Sequence, residues 1–151
     1  VVTVIVDVEG AVRVLRDAKK LLILVGSRLD GDILSTVVKL AEGLGAKAGI
    51  AATGNTAAPL REMGIDAGKE WTAEVVSRML HSEGDKPDLL VFVGFYSFVL
   101  SGVLSTLKHF ASCKTLALER RRFENADFSL SEMSKEAWRD ALMRIAEGVI
   151  R

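Results

Sequence analysis

The chain has 151 residues, with 20 Lys plus Arg against 20 Asp plus Glu. With His neutral the net charge is zero, which excludes duplex nucleic acid as the main partner, since phosphate binding demands a strong positive bias. A hydrophobic content of 49% with only two prolines excludes a disordered chain, and the length suffices to bury one core.

Residues 1–8 are strand-like without clean punctuation, and read as an edge strand or an extended arm. Ala11 to Lys19 reads as a short helix with Val12 and Leu15 inward. Leu21 to Val25 is a continuous apolar run ended by Gly26, as expected of a central parallel strand covered on both faces. Asp30 or Asp32 can cap a helix whose inward stripe is Ile33, Val37, Leu40, Ala41 and Leu44, stopped by Gly45. Ala48 to Ala52 is the second strand. A loop from Thr53 follows, with Pro59 as punctuation and a third short strand expected near Met63 to Ile65.

Thr72 can cap a helix carrying Val75, Val76, Met79 and Leu80, and Pro87 closes that connection. The run from Leu89 to Leu107 has no charged side chain, so its length reaches the membrane-span threshold of about 18 residues. Gly94 and Gly102 split it, serines dot it, and Val91, Phe92 and Val93 favour a strand. It therefore reads as a buried strand, Leu89 to Val93, feeding a helix from Phe98 to Phe110, with no membrane span. A strand from Thr115 to Leu118 follows. Then comes the word Asn125-Ala126-Asp127-Phe128-Ser129, read as a rigidly held loop. Ser134 caps a last helix with the stripe Trp138, Leu142, Ile145 and Val149.

Strands alternating with helices at this pace predict one α/β domain over residues 1–151: a three-layer open parallel sheet with helices on both faces, Rossmann-like. No secretory signal pattern opens the sequence, so a cytoplasmic location is expected. In the order 3-2-1-4-5 the switch point falls between the strands ending at Gly26 and Gly94, where such sheets bind ligands. The expected crevice is rimmed by Gly26, Ser27, Thr53, Gly54, Asn55, Gly94, Phe95 and Tyr96. A dinucleotide fingerprint is absent, because Gly26-Ser27-Arg28-Leu29-Asp30-Gly31 matches only the first glycine and brings Asp30 towards any pyrophosphate. Helix N-termini still offer N–H groups to an anion, so a nucleotide stays open.

One cysteine, Cys113, and two histidines, His81 and His109, cannot make a four-ligand iron–sulfur or structural zinc site. No metal site is expected on this chain, and no Ser/His/Asp or Cys/His constellation or P-loop stands out. Arg120, Arg121 and Arg122, with Lys108 and Lys114 near in sequence, read either as a solvated loop or as a cationic edge. Such an edge would meet an acidic partner surface or a nucleotide phosphate. The helix to Phe110 is apolar around more of its circumference than one buried face requires. The excess would be covered by a second copy, by a different subunit or by the chain's own core.

The words Leu104-Ser105-Thr106-Leu107-Lys108-His109-Phe110-Ala111, Lys114-Thr115 and Asn125-Ala126-Asp127-Phe128-Ser129 resemble the epsilon subunit of the archaeal acetyl-CoA decarbonylase/synthase (carbon monoxide dehydrogenase) complex. Ala52-Thr53-Gly54-Asn55 and Phe95-Tyr96 are weaker echoes. The resemblance implies a fold similar to the FAD/NAD-binding domain of thiamine-dependent enzymes and no catalysis by this chain alone. It also implies a large alpha subunit as partner, two alpha with two epsilon, with the nickel and iron–sulfur clusters on alpha. Lys108, Arg120, Arg121, Arg122, Asn125, Asp127 and Phe128 then become candidates for the partner interface, and FAD a candidate cofactor for electron transfer. An FAD-holding electron-transfer module and a small NAD enzyme are the alternatives to a structural subunit.

Overall fold

A computed structural model describes residues 3–52, 56–64, 68–69, 74–75, 77, 86–110 and 113–150. Its strands are β1 (Val4–Val6), β2 (Leu21–Val25), β3 (Ala48–Ala52), β4 (Gly68–Lys69), β5 (Leu89–Val93), β6 (Lys114–Ala117) and β7 (Phe128–Leu130). They form one sheet in the order β1-β7-β6-β5-β2-β3-β4, and every pairing is parallel. The helices are α1 (Val8–Asp17), α2 (Gly31–Leu44), α3 (Ala57–Glu62), α4 (Ser97–Phe110) and α5 (Lys135–Ile150), and Glu74, Val75 and Ser77 are also helical. The chain is thus an α/β open parallel sheet of the Rossmann-like kind, as the alternation of runs predicts.

Period-two alternation sorts the central strands into two cores. Leu21, Ile23 and Val25 of β2 and Leu89, Val91 and Val93 of β5 face α1, α2 and α5. Leu24, Leu90 and Phe92 face the opposite layer, where Leu100, Leu104 and Leu107 of α4 and Val75 pack. The stripe expected on α2 is buried along its whole length, as are Trp138, Leu142, Ile145 and Val149 of α5. Asp30 caps α2, its Oδ1 accepting from Ile33 N at 3.1 Å. Ser134 caps α5, accepting from Ala137 N at 3.1 Å. The uncharged run resolves into β5 and α4 with the Gly94 turn between them. Among the described residues no helix is long and apolar enough to cross a membrane.

Four expectations need correction. The first helix starts at Val8, because the Asp7 carboxylate caps it by accepting from Gly10 N at 2.8 Å. The loop after β3 contains α3, which tolerates Pro59 because a first-turn residue has no helical N–H bond to lose. Met63 and Gly64 form the turn that ends α3, so the strand beside β3 is β4. Ile65 lies outside the described residues, as do Thr72, Val76, Met79 and Leu80. Finally, the Asn-Ala-Asp-Phe-Ser word is not all loop: Phe128 and Ser129 open β7, which pairs with β6 on one side and β1 on the other. The N-terminal segment is accordingly an edge strand through Val4–Val6.

Candidate functional site

The switch point lies between β2 and β5, as the strand order requires. There the two glycines serve first to bring backbone against backbone. A Cβ on Gly26 would stand 2.3 Å from the Gly94 carbonyl oxygen and 3.0 Å from Phe95 Cα. The contact is fastened by Gly26 N donating to Val93 O at 2.9 Å and Arg28 N donating to Gly94 O at 2.8 Å. Gly94 has φ +85°, and the Leu29 side chain covers its Cα, so a Cβ there would lie 2.6 Å from Leu29 Cγ. Ser27 and Tyr96 are exposed and Phe95 is half-buried. Thr53, Gly54 and Asn55 lie outside the described residues.

The N–H groups just ahead of α4 already hold a carboxylate. Glu119, at the end of β6, accepts from Gly94 N at 3.0 Å and from Phe95 N at 2.9 Å. Only 5% of Glu119 is exposed. Burial pushes its carboxyl up to about 7, against the lowering effects of the Phe95 and Gly94 N–H bonds and the Arg28 charge. On the neighbouring α2 the capping bond from Ile33 N holds Asp30 below its ordinary range, outweighing a small desolvation, with help from Lys135 and Arg139. At the switch point Asp30 therefore caps α2, while Glu119 holds the Gly94–Phe95 turn that leads into α4.

Beside Glu119 a cavity of about 300 Å³ opens over the ends of β5 and β6. Arg28, Arg120, Arg121 and Lys135 line it together with Phe95, Phe123 and Trp138. The Arg28 guanidinium lies 4.8 Å from the centre of the Tyr96 ring. Lys135 pairs with Asp30 at 3.4 Å. The Trp138 indole donates to Leu118 O at 3.0 Å, which fixes the wall at the start of α5. Next in sequence to the lining residues Phe95 and Ser97, Tyr96 is exposed at 47%, and in the first turn of α4 Phe98 at 78% and Val99 at 38%. Tyr96 and Phe98 rings lie 5.7 Å apart. No charged side chain occurs on α4 before Lys108.

The remaining candidates divide by what their side chains do. Arg122 is exposed and pairs with Glu124 at 2.9 Å, while Lys108 is half-buried near the end of α4. Asp127 is turned inward: its Oδ2 accepts from Thr115 N at 2.9 Å and from Thr115 Oγ1 at 3.2 Å. The Asp127 N–H returns a bond to Thr115 Oγ1 at 3.0 Å. Phe128 packs on the larger core and Asn125 is half-buried. The word therefore ties β6 to β7. Changing Asp127 to Ala is expected to lower stability by about 2 kcal/mol, because the Thr115 N–H and hydroxyl lose their acceptor. Chemical denaturation checks this, and a loss under about 0.5 kcal/mol would show that the clasp carries little of the fold.

Cys113 is half-buried, and burial pushes its thiol up, away from the reactive thiolate. Among the described residues no three His, Cys, Asp or Glu side chains stand close enough together to hold a metal. Sequence reasoning missed Arg28, Glu119, Lys135 and Phe98 as residues of this region. Glu119 had a legible signal: it is the first charge after an apolar strand, at the strand end where open sheets place their sites.

The architecture and this end of the sheet define an α/β Rossmann-like domain whose switch-point turn is held by a buried Glu119 and whose exposed α4 start is uncharged and carries bare aromatic rings. The family model described as CO dehydrogenase beta subunit/acetyl-CoA synthase epsilon subunit matches residues 1–146, and the chain belongs to that family. It is 33% identical over 145 residues to acetyl-CoA decarbonylase/synthase complex subunit epsilon 1 of Methanosarcina barkeri, covering 91% of this chain and 84% of the relative. It is 34% identical over 136 residues to subunit epsilon 2 of Methanosarcina mazei, covering 84% and 78%. With subunit epsilon 1 of Archaeoglobus fulgidus it shares 32% over 133 residues, covering 81% and 70%.

Proposed function

We propose that this chain is a non-catalytic epsilon subunit that stabilises the carbon monoxide dehydrogenase component of an acetyl-CoA decarbonylase/synthase complex in the cytoplasm. It does so by docking on a large alpha subunit, and the nickel and iron–sulfur chemistry belongs to that partner. The observation that carries the reading is the exposed Tyr96–Phe98–Val99 surface at the start of the uncharged stretch of α4. Apolar aromatic anchors beside arginines are the composition of an interface hot spot, whereas an isolated domain gains nothing by wetting them. Arg122 and the rest of the β6–β7 connection extend the same end of the sheet and form the polar rim of the docking surface.

FAD is not part of this proposal. Its pyrophosphate would be received at helix N–H groups at the switch point, and there the Asp30 carboxylate already caps α2 and would repel it. Adding FAD to the purified chain is expected to give no saturable flavin quenching.

The docking reading is tested by co-expressing the chain with the large subunit. Phe98→Asp is expected to weaken co-purification by roughly 30-fold or more in affinity, the size of a hot-spot loss. Val4→Asp, at an exposed position on the far edge of the sheet, leaves it unchanged. Full recovery of the complex with Phe98→Asp would remove α4 as the docking element.

A further inference from the structure

We infer that the cavity over the ends of β5 and β6 is a binding site for a small, multiply charged oxyanion, bearing phosphate or carboxylate groups, held chiefly by Arg120 and Arg121. Three segments far apart in sequence deliver cations to one place: Arg28 from the β2–α2 connection, Arg120 and Arg121 from the β6–β7 connection, and Lys135 from the start of α5. This happens in a chain whose net charge is zero, so the concentration of positive charge is local. One carboxylate, Glu119, lines the same cavity, and both its oxygens are engaged by Gly94 and Phe95 N–H groups.

The other cations differ in how far they are already satisfied. Lys135 is shared with Asp30, and Arg28 lies over the Tyr96 ring. Among the described residues the guanidinium groups of Arg120 and Arg121 have neither a hydrogen-bond acceptor nor an ion-pair partner, although Arg120 is half-buried. Phe95, Phe123 and Trp138 give the cavity low-dielectric walls, which focus the field of the arginines into it. Planar guanidinium groups match the paired oxygens of phosphates and carboxylates. At about 300 Å³ the space is at the small end of ligand sites, which suits a compact anion and not a dinucleotide.

The inference is independent of the docking surface, because it is tested on the full chain without its partner. Calorimetric titration with pyrophosphate, and separately with malonate, is expected to show saturable binding to the wild type at submillimolar concentration, weakening as salt rises. Binding of pyrophosphate only, or of malonate only, assigns the site to phosphates or to carboxylates respectively. The double variant Arg120→Ala/Arg121→Ala is expected to bind at least roughly tenfold more weakly with an unchanged melting temperature. The double variant Arg13→Ala/Arg144→Ala, in the charged groove between α1 and α5, is expected to bind like the wild type. Absence of saturable binding of either anion overturns the inference, as does equal binding by the Arg120/Arg121 variant.

Discussion

Replacing Gly26 by alanine is expected to cost about 4 kcal/mol, a large part of the margin of an ordinary domain. The new methyl would sit 2.3 Å from the Gly94 carbonyl oxygen and 2.7 Å from its carbon. These are backbone atoms, so no rotamer change relieves the overlap. Nor can the two turns separate cheaply, because Gly26 N and Arg28 N are bonded to Val93 O and Gly94 O across the same contact. Gly31→Ala is the matching control. A Cβ at that position meets nothing within 4 Å, and at the first residue of α2 alanine is favoured over glycine by less than the interior difference of about 1 kcal/mol. The expected result from urea unfolding is therefore a large loss for Gly26→Ala and none, or a slight gain, for Gly31→Ala. If both variants unfolded at the same midpoint, the close crossing of the two turns would not exist in solution.

The second large effect is a pH dependence set by Glu119. Its ordinary value is 4.5 and burial raises the folded value to about 7. Between those values the native protein holds a proton that the unfolded chain has released. Stability is thus highest below the unfolded value, falls as pH rises through that window, and levels off above the folded value. A shift of this size corresponds to about 3 kcal/mol, lost largely between pH 5 and 8. Asp30 and Asp88 act in the opposite sense and at lower pH, since both are held below their ordinary value. For Asp88, burial pulls upward but bonds from the Lys19 and Lys20 N–H groups together outweigh it.

Glu119→Gln isolates the effect. The amide can accept one of the two N–H bonds but presents its own N–H₂ to the other, so some stability is lost at every pH. Most of the difference between pH 5 and pH 8 should nevertheless vanish in the variant. A wild type equally stable at both pH values, or a variant with the wild-type slope, would mean that Glu119 is hydrated and not buried against the turn.

The two effects show which inferences needed three dimensions. That Gly26 and Gly94 end adjacent strands was legible from the apolar runs before them, and the switch point followed from the alternation of elements. The physical role of those glycines was not: a glycine that admits a ligand and one that admits a neighbouring turn look alike in sequence. The same holds for the Asn-Ala-Asp-Phe-Ser word. Its Asn and Asp suggest a turn by local bonding, while the actual partner of Asp127 is Thr115, 12 residues away. β7, with three residues and a serine at its centre, is too short to carry a period, and only its two neighbours make it a strand.

What the sequence determined by itself is the α/β alternation, the two helix stripes, the central apolar strands and family membership. Each of these rests on near neighbours in the chain or on words of adjacent residues. Tertiary structure alone decided that Glu119 holds the Gly94–Phe95 turn, that Arg28, Arg120, Arg121 and Lys135 share one cavity, and that Phe98 is left in solvent. Charge and exposure depend on distances through space, and the parallel crossovers of this fold bring together side chains separated by a whole strand–helix unit.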